Sequence, residues 1–162
     1  MSDKVVDRPA ARIVLLDPED RILLQQIRPD QRETRSIWIT PGGGLAPGET
    51  HRQAAVRELR EEVGQEIAEL GPCVWVRKHE FEFRGTTYRQ RERFFLARTG
   101  STAIDTSRQD PIEVDIVLGY RWWKLTEIQG AGETVFVPRL ISQYLGPLIE
   151  GRIPKRPVNV GA

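Results

Sequence analysis

A glycine-rich loop runs directly into a helix-forming segment, and this junction constrains the fold more than any other feature of the chain. Pro41-Gly42-Gly43-Gly44 lets the backbone approach a metal ion or a phosphate closely, because glycine has no Cβ and tolerates positive φ. Thr50 and Gln53 have the spacing of a capping box, and the run His51–Val63 contains neither Gly nor Pro. Gly64 supplies a helix stop. The sequence therefore predicts a close-approach loop attached to the N-terminus of a helix.

The predicted helix has two faces of different character. Glu58, Glu61 and Glu62 fall within an arc of about 100°. A second, apolar arc is centred roughly 120° away, and it consists of Ala55, Val56, Leu59 and Val63. Three clustered carboxylates need a compensating charge, and hard oxygen ligands at this density suit Mg²⁺ or Mn²⁺. The alternative is a solvated acidic face that forms ion pairs with the interleaved Arg57 and Arg60.

The loop and the helix together have the spacing of a known motif. Residues 43–65 resemble the Nudix box: Gly, five residues, Glu, seven residues, Arg-Glu, a bulky apolar residue, any residue, Glu-Glu, any residue, Gly and a bulky apolar residue. Eight of the nine specified positions match, and only Gln65 departs, where the family usually has an aliphatic side chain. The resemblance implies a hydrolase that uses Mg²⁺, or alternatively Mn²⁺, to split a diphosphate linkage in a nucleotide-type substrate.

The resemblance also implies roles for individual residues. The implied metal ligands are three carboxylates and the carbonyl oxygen just before the first box glycine: Glu58, Glu61, Glu62 and Gly42. Glu49 and Arg57 are implied to form a structural brace between loop and helix. In many family members the catalytic base lies on a loop before a late strand, where Glu113 is our first choice and an ordinary loop acid is the alternative. Glu61 is the other candidate base.

Cationic side chains outside the box are candidates for phosphate binding. Arg28 ends a predicted strand and could reach a phosphate, although a solvated strand end is equally compatible. Arg89, Arg91 and Arg93 alternate onto one face of their strand, where they either line a polyphosphate channel or face solvent. Glu92, on the other face, is a further candidate ligand or base. We assign Arg28 and Arg91 to substrate binding.

Aromatic, histidine and cysteine residues give weaker signals. Trp122 and Trp123 point to opposite faces of a strand, so one belongs to the core and the other either stacks on a base or packs under the last helix. We assign Trp123 to the substrate. His51 and His79 have no partner pattern and are interpreted as surface or hairpin residues. Cys73 is the only cysteine, which excludes an internal disulfide and a cysteine-based zinc site.

Composition bounds the class of protein. The chain has 162 residues, 39% of them hydrophobic and 29% charged, which fits one domain with a real core. The net charge of +1 gives no bulk argument for binding nucleic acid or membranes. No apolar run approaches the roughly 18 residues that span a bilayer, and residues 1–9 lack a signal-peptide core, so we expect a cytoplasmic protein. A homodimer stays open.

The remaining patterns predict a mixed sheet with two main helices. We expect a hairpin, a strand entering the loop, a second hairpin, a late strand and a late helix, over residues 12–16 with 22–27, 37–40, 74–83 with 87–97, 116–125 and 137–149. The resemblance implies the Nudix α/β/α sandwich, of the α+β type with a mixed sheet between helices, over residues 8–151. Residues 1–7 are expected to be flexible, and residues 152–162 to form an extended, mobile tail.

Three functions follow as hypotheses. The leading one is metal-dependent hydrolysis of a nucleoside diphosphate linked to another moiety. The second is a non-catalytic nucleotide-binding module on the same fold, which usually loses box carboxylates that this chain retains. The third is an RNA 5′-end pyrophosphohydrolase, for which the near-neutral charge gives little support. Residues 80–83, where some subgroups carry a distinguishing Pro or Tyr, have neither, so the substrate stays open.

Overall fold

The computed structural model describes residues 4–28, 36–109 and 117–161. Its nine-stranded sheet consists of β1 (Val5–Leu16), β2 (Ile22–Ile27), β3 (Ile37–Ile39), β4 (Gly42–Gly44), β5 (Cys73–Phe83), β6 (Thr86–Arg98), β7 (Val117–Trp123), β8 (Val135–Val137) and β9 (Val158–Asn159). The helices of these ranges are α1 (His51–Val63), α2 (Leu125–Gln129) and α3 (Ile141–Ile149). Within them, no helix is both long and apolar enough to cross a membrane.

β1 is the central strand of the sheet. It pairs in parallel with β6 along its whole length, and residues 10–12 pair with β4 on its other edge. The predicted hairpin between residues 12–16 and 22–27 is present but reduced, because the antiparallel neighbours β1 and β2 share only the pair Leu16 and Ile22. A strand has two edges, and β6 and β4 occupy those of β1, so β2 turns away and pairs antiparallel with β3 and β7.

Helices cover both faces of this sheet. Alternate residues of β1 point to opposite faces, so Ile13 and Leu15 pack with α1, whereas Val14 and Leu16 pack in a second core with α2 and α3. Each helix buries an apolar stripe against the sheet, for example Leu59 in α1 and Leu145 in α3. The predicted α/β/α sandwich around a mixed sheet is confirmed.

The hairpin predicted from residues 74–83 and 87–97 is present as β5 and β6. Phe83 pairs with Thr86 around a two-residue turn in which Arg84 has φ 49° and Gly85 has φ 79°. Positive φ at both turn positions matches the twist of antiparallel strands, which explains why local sequence sufficed for this prediction.

The late elements differ from their predicted bounds. Residues 135–137 form β8, which pairs in parallel with β3, and α3 begins only at Ile141. Pro138 therefore lies in the turn before α3, where its carbonyl accepts the Ile141 N–H at 3.1 Å, and not in the first turn of a helix. Leu140, inside the predicted helix of residues 137–149, is exposed at the helix cap. Leu125, predicted at the end of a strand, begins α2.

Both termini of the described chain join the sheet. Residues 5–7, expected to be flexible, pair with residues 87–89 at the start of β1. In the expected mobile tail, β9 pairs in parallel with β5, and the Val160 N–H donates to the Val76 carbonyl at 3.0 Å. The Val160 side chain is 3% exposed in the core that also contains α3. Apolar burial and strand pairing hold segments that composition alone assigned to solvent.

Candidate active site

The loop–helix junction forms as its local signals predict. The Gln53 N–H donates to Thr50 Oγ1 at 3.1 Å, and the Thr50 N–H donates to Gln53 Oε1 at 3.0 Å, which completes the capping box. Gly64 ends α1 in the left-handed conformation with φ 70°. Ala55, Leu59 and Val63 are buried as predicted. Val56 is only half-buried, and Ala54 is buried in addition.

Two of the box carboxylates are buried against β4. Glu58 is 6% and Glu62 is 2% exposed. Glu62 Oε2 accepts the Gly42 N–H at 3.1 Å. A Cβ added at Gly43 would lie 2.7 Å from Glu58 Oε1, so any other residue here would displace this carboxylate from its present position. The loop and the helix thus form a cradle in which two carboxylates lie against the backbone of Gly42 and Gly43.

The electrostatics of this cradle favour a cation. Burial raises the pKa of Glu58, and Arg57 opposes that rise only in part. Glu58 and Glu62 also share a side-chain hydrogen bond. Two carboxyl groups this close and this buried are costly when both are ionised, and a divalent cation between them removes that cost. The donor set of Glu58, Glu62 and the Gly42 carbonyl therefore fits Mg²⁺ or Mn²⁺.

Glu61 does not join the buried pair. Its side chain is 46% exposed, and its Oε2 lies 3.1 Å from Arg57 Nη1. Accordingly, the described part of the chain contains no group of three or more His, Cys, Asp or Glu side chains arranged to hold a metal ion. The structure brings together Glu58, Glu62 and Gly42, and it leaves Glu61 at the rim.

Arg57 connects the helix to the loop. Its Nε donates to Glu49 Oε2 at 2.8 Å and its Nη2 to Glu49 Oε1 at 2.9 Å, a bidentate ion pair. Nη2 also donates to the Gly44 carbonyl at 3.1 Å. The hydrogen bonds from Arg57 lower the pKa of Glu49 to about 2, with the Ala46 N–H adding to this effect. Arg57 Nη1 also donates to Glu58 Oε1 at 3.0 Å and to Glu61 Oε2 at 3.1 Å, so all three side-chain nitrogens of Arg57 have partners.

Sequence reasoning missed a second arginine at the loop. Arg12 Nη1 lies 3.3 Å from the Thr40 carbonyl and 3.4 Å from the Gly42 carbonyl, and Arg12 Nε donates to Glu92 Oε2 at 2.7 Å. The available signal was a lone cation inside the otherwise apolar run of residues 10–16. A charge in a buried strand needs a partner, but the local sequence does not say which.

The predicted substrate contacts outside the box are not gathered at the cradle. Arg28 is exposed directly after β2. Arg91 is 62% exposed and lies 3.6 Å from Asp7, on the face of β6 opposite Glu92. The assignment of Trp123 to the substrate is wrong, because it is 4% exposed and packs edge-on against Trp38 and Phe136 in the core.

Three further candidates complete the account. Glu113 lies outside the described residues and stays a prediction. Glu92, proposed as a ligand or base, is buried between Arg12 and Arg77, and these ion pairs occupy its oxygens. His79, interpreted as a hairpin residue, lies on β5 with its Nδ1 2.7 Å from Arg77 Nη1 and 3.5 Å from Glu92.

A sequence model of a protein family matches most of this chain. The model of the NUDIX domain matches residues 6–143. The chain belongs to the Nudix family. The resemblance recognised in residues 43–65 is thereby confirmed, and it extends over most of the chain.

Two relatives of this Nudix protein are described as pyrophosphohydrolases. The RNA pyrophosphohydrolase of Francisella philomiragia is 33% identical over 133 residues, which cover 75% of this chain and 81% of that protein. The CTP pyrophosphohydrolase of Escherichia coli is 42% identical over 71 residues, which cover 44% of this chain and 50% of that protein. Together with the family, these similarities identify a hydrolase that acts on pyrophosphate bonds.

Solved structures share the fold. The MutT protein from Methanosarcina mazei Go1 superposes with a TM-score of 0.64 at 17% identity, covering 96% of this chain and 100% of that chain. The dihydroneopterin triphosphate pyrophosphohydrolase of E. coli gives a TM-score of 0.63 at 23% identity, covering 91% and 99%. At these identities the likeness concerns the architecture of the Nudix domain.

Proposed function

We propose that this Nudix hydrolase depends on Mg²⁺, with Mn²⁺ as a substitute, and cleaves a phosphoanhydride bond in a nucleoside diphosphate linked to another moiety. The observation that carries the proposal is the buried pair of Glu58 and Glu62 against the backbone of Gly42 and Gly43. The pair lies at the end of a loop that permits close approach of phosphate, and Arg57 Nη1 lies 3.0 Å from Glu58 Oε1.

The protein's own groups have distinct tasks in this proposal. A divalent cation, when bound, supplies an acidified water and Lewis-acid polarisation of a phosphoryl oxygen. Glu58, Glu62 and the Gly42 carbonyl would hold the cation. The ion pair between Glu49 of the loop and Arg57 of α1 fixes the position of the loop relative to the helix. Glu113 is proposed as the base that takes the proton of the attacking water, with Glu61 as the alternative.

Replacement of a single buried carboxylate tests the proposal. Purified protein with Mg²⁺ should release a phosphorylated product from at least one member of a panel of nucleotide sugars, dinucleoside polyphosphates, ADP-ribose, and normal and oxidised nucleoside triphosphates. Glu62→Gln should lower kcat/KM by about a hundredfold or more, since removing the charge weakens the metal site. Glu66→Gln, an exposed carboxylate just after the helix, is the matched control. Full activity of Glu62→Gln would contradict the role.

An RNA 5′ end is the second candidate substrate. The Francisella relative that matches at 33% identity is described as an RNA pyrophosphohydrolase. The panel therefore includes a 5′-triphosphorylated oligonucleotide, with release of pyrophosphate as the readout. A higher kcat/KM for this oligonucleotide than for free nucleotides, with binding that weakens steeply as salt rises, would favour RNA.

A non-catalytic module is the remaining alternative. It predicts nucleotide binding without turnover under every divalent metal tested. The retention of Glu58, Glu61 and Glu62 speaks against it, because a binding module has no need of this carboxylate set.

A further inference from the structure

Charged side chains from two different elements contact the backbone N–H and the backbone carbonyl of Gly42. Its N–H donates to Glu62 of α1 at 3.1 Å, and its carbonyl lies 3.4 Å from Arg12 Nη1 of β1. The same Nη1 reaches the Thr40 carbonyl at 3.3 Å. A carbonyl oxygen has two lone pairs, so the Gly42 carbonyl can accept from Arg12 and still coordinate a cation. Arg12 thus contacts the carbonyl oxygen that the family resemblance implies as a metal ligand.

Arg12 is held in turn by a buried carboxylate. Glu92 Oε2 accepts from Arg12 Nε at 2.7 Å, and Glu92 Oε1 accepts from Arg77 Nη1 at 2.7 Å. Gln90 Nε2 donates to Glu92 Oε2 at 3.2 Å. We call Arg12, Arg77, Gln90 and Glu92 the Glu92 cluster. Burial alone would raise the pKa of Glu92, but Arg12, His79 and Arg77 outweigh it and hold that pKa far below its ordinary value. Glu92 therefore stays charged.

The charge of Arg12 also reaches the proposed metal ligands. Burial lowers the pKa of Arg12, but the attraction of Glu92 and, beyond it, of Glu62 and Glu58 leaves that pKa raised. An arginine that turned from Glu92 to Glu62 would compete with a divalent cation for the same oxygens. The Glu92 cluster keeps Arg12 on the far side of the Gly42 peptide.

We infer that Arg12 is a positioning residue, fixed by Glu92, which aims the Gly42 carbonyl into the divalent-cation site and is kept by Glu92 from occupying that site itself. The inference rests on the proposed function, because it assumes that a divalent cation binds at Glu58 and Glu62. It assigns Glu92 a role through Arg12 and not as a ligand or base.

Metal binding measured without turnover tests this inference. Mn²⁺ is titrated into the full-length protein and followed by electron paramagnetic resonance. Glu92→Gln should raise the Kd for Mn²⁺ by about tenfold or more, as is typical when the support of a metal ligand is lost. Arg12→Lys should also raise it, because the single nitrogen of lysine cannot occupy both the Nε position at Glu92 and the Nη1 position at the two carbonyls.

The matched control lies on β5 and β6, the strands that carry Arg77 and Glu92. Glu80 forms an exposed ion pair with Arg89, 3.1 Å apart, and Glu80→Gln should leave the Kd within about twofold. In hydrolysis assays, the activity lost in Glu92→Gln should return in part as the Mn²⁺ concentration is raised, which a merely structural defect would not do.

The outcomes separate the two proposals. A folded Glu92→Gln that binds Mn²⁺ as tightly as the wild type would overturn the inference, while wild-type turnover would leave the proposed function standing. Wild-type protein that binds Mn²⁺ but hydrolyses no member of the panel would contradict the proposed function, and the Kd values would still decide the inference. If Glu92→Gln fails to fold by circular dichroism, Arg12→Lys decides: unchanged affinity overturns the inference, and weakened affinity supports it.

Discussion

Among the glycines of the described residues, Gly42 leaves the least room for an added side chain. Its φ is +144°, and an added Cβ would lie 2.1 Å from the Ala11 carbonyl oxygen and 2.8 Å from Arg12 Cα. Both neighbours are backbone atoms of β1, so neither can move aside without disturbing the sheet. Gly42→Ala should therefore lower the free energy of unfolding by about 3 kcal/mol or more.

Gly48 is the matched control for this prediction. Its φ is +78°, but an added Cβ meets no atom within 4 Å. Gly48→Ala should cost about 1–2 kcal/mol, the penalty of the left-handed conformation alone. Urea unfolding of both variants measures the difference. Equal losses at the two positions would show that backbone conformation, and not the contact with β1, explains the glycine at 42.

Glu49 predicts an acid sensitivity of the box. Its pKa is lowered from 4.5 to about 2, so the unfolded chain binds this proton at higher pH than the folded chain does. The resulting stability is complete above pH 4.5 and is lost as pH falls toward 2. Glu49→Gln should lower the free energy of unfolding by about 1–2 kcal/mol at pH 7, after allowance for solvent screening, and by less at pH 3.

Urea unfolding between pH 7 and pH 3 checks this window. Glu80→Gln, which breaks the exposed pair with Arg89, is the control and should change the unfolding free energy by less than about 0.5 kcal/mol at every pH. A Glu49→Gln deficit that stayed constant down to pH 3 would disprove the linkage.

Single residues also show what sequence could and could not predict about the site. The positions of Glu58 and Glu62 follow from helical periodicity, because both lie on one predicted helix. The exposure of Glu61 does not, although its i,i+4 ion pair with Arg57 is the alternative that the sequence offered for this face. Arg12 and Glu92 are 80 residues apart, so only the fold brings them together.

At the scale of elements, the one departure from the box has a clear structural partner. Gln65, directly after α1, is buried, and its Nε2 donates to the carbonyls of Ser101 and Ala103 at 2.9 and 2.8 Å. Its Oε1 accepts from Thr99 Oγ1 at 2.7 Å. An aliphatic residue here would pack but could not bind this loop. Gln65 therefore ties the segment after β6 to the end of the box helix.

Gln65→Leu should loosen that segment. The substitution removes three hydrogen bonds of a buried side chain, so the free energy of unfolding should fall by about 1–3 kcal/mol. Hydrogen exchange at the Asp105 amide, which donates to the Val63 carbonyl at 2.8 Å, should accelerate relative to the core strands. Gln143→Leu, an exposed glutamine on α3, is the control. Unchanged exchange in Gln65→Leu would show that the loop is held by other contacts.

The elements predicted correctly are those with local signals. The ends of α1 and the turn between β5 and β6 are determined by residues that lie three or fewer positions apart in the sequence. The pairing of β1 with β6 has no such signal, because it joins residues 5–16 to residues 87–98. A parallel partner requires an intervening crossover, so β6 is distant in sequence, whereas β2 follows β1 directly and pairs with it only at Leu16 and Ile22.

At the scale of the whole molecule, the two cores meet at one sheet, and the cradle lies near their boundary. β4 pairs with β1 directly beside α1. Arg12, which belongs to β1, points to the face of the sheet opposite α1 and pairs there with Glu92. The second core closes only when the last described residues join it, since Val160 packs with Trp75, Leu145 and Leu148. A chain end that seems dispensable by sequence thus belongs to the core under the late helix.

Two valines in this end give the sharpest test of that arrangement. Val160 is 3% exposed and Val158 is 37% exposed, although both lie beside β5. Val160→Ala should lower the free energy of unfolding by about 1–2 kcal/mol, because it removes buried methyl groups and leaves a cavity, whereas Val158→Ala should cost about 0.5 kcal/mol or less. Thermal unfolding followed by tryptophan fluorescence measures both, since Trp75 packs in the same core. Equal melting temperatures of the two variants would mean that residues after β9 do not complete the core.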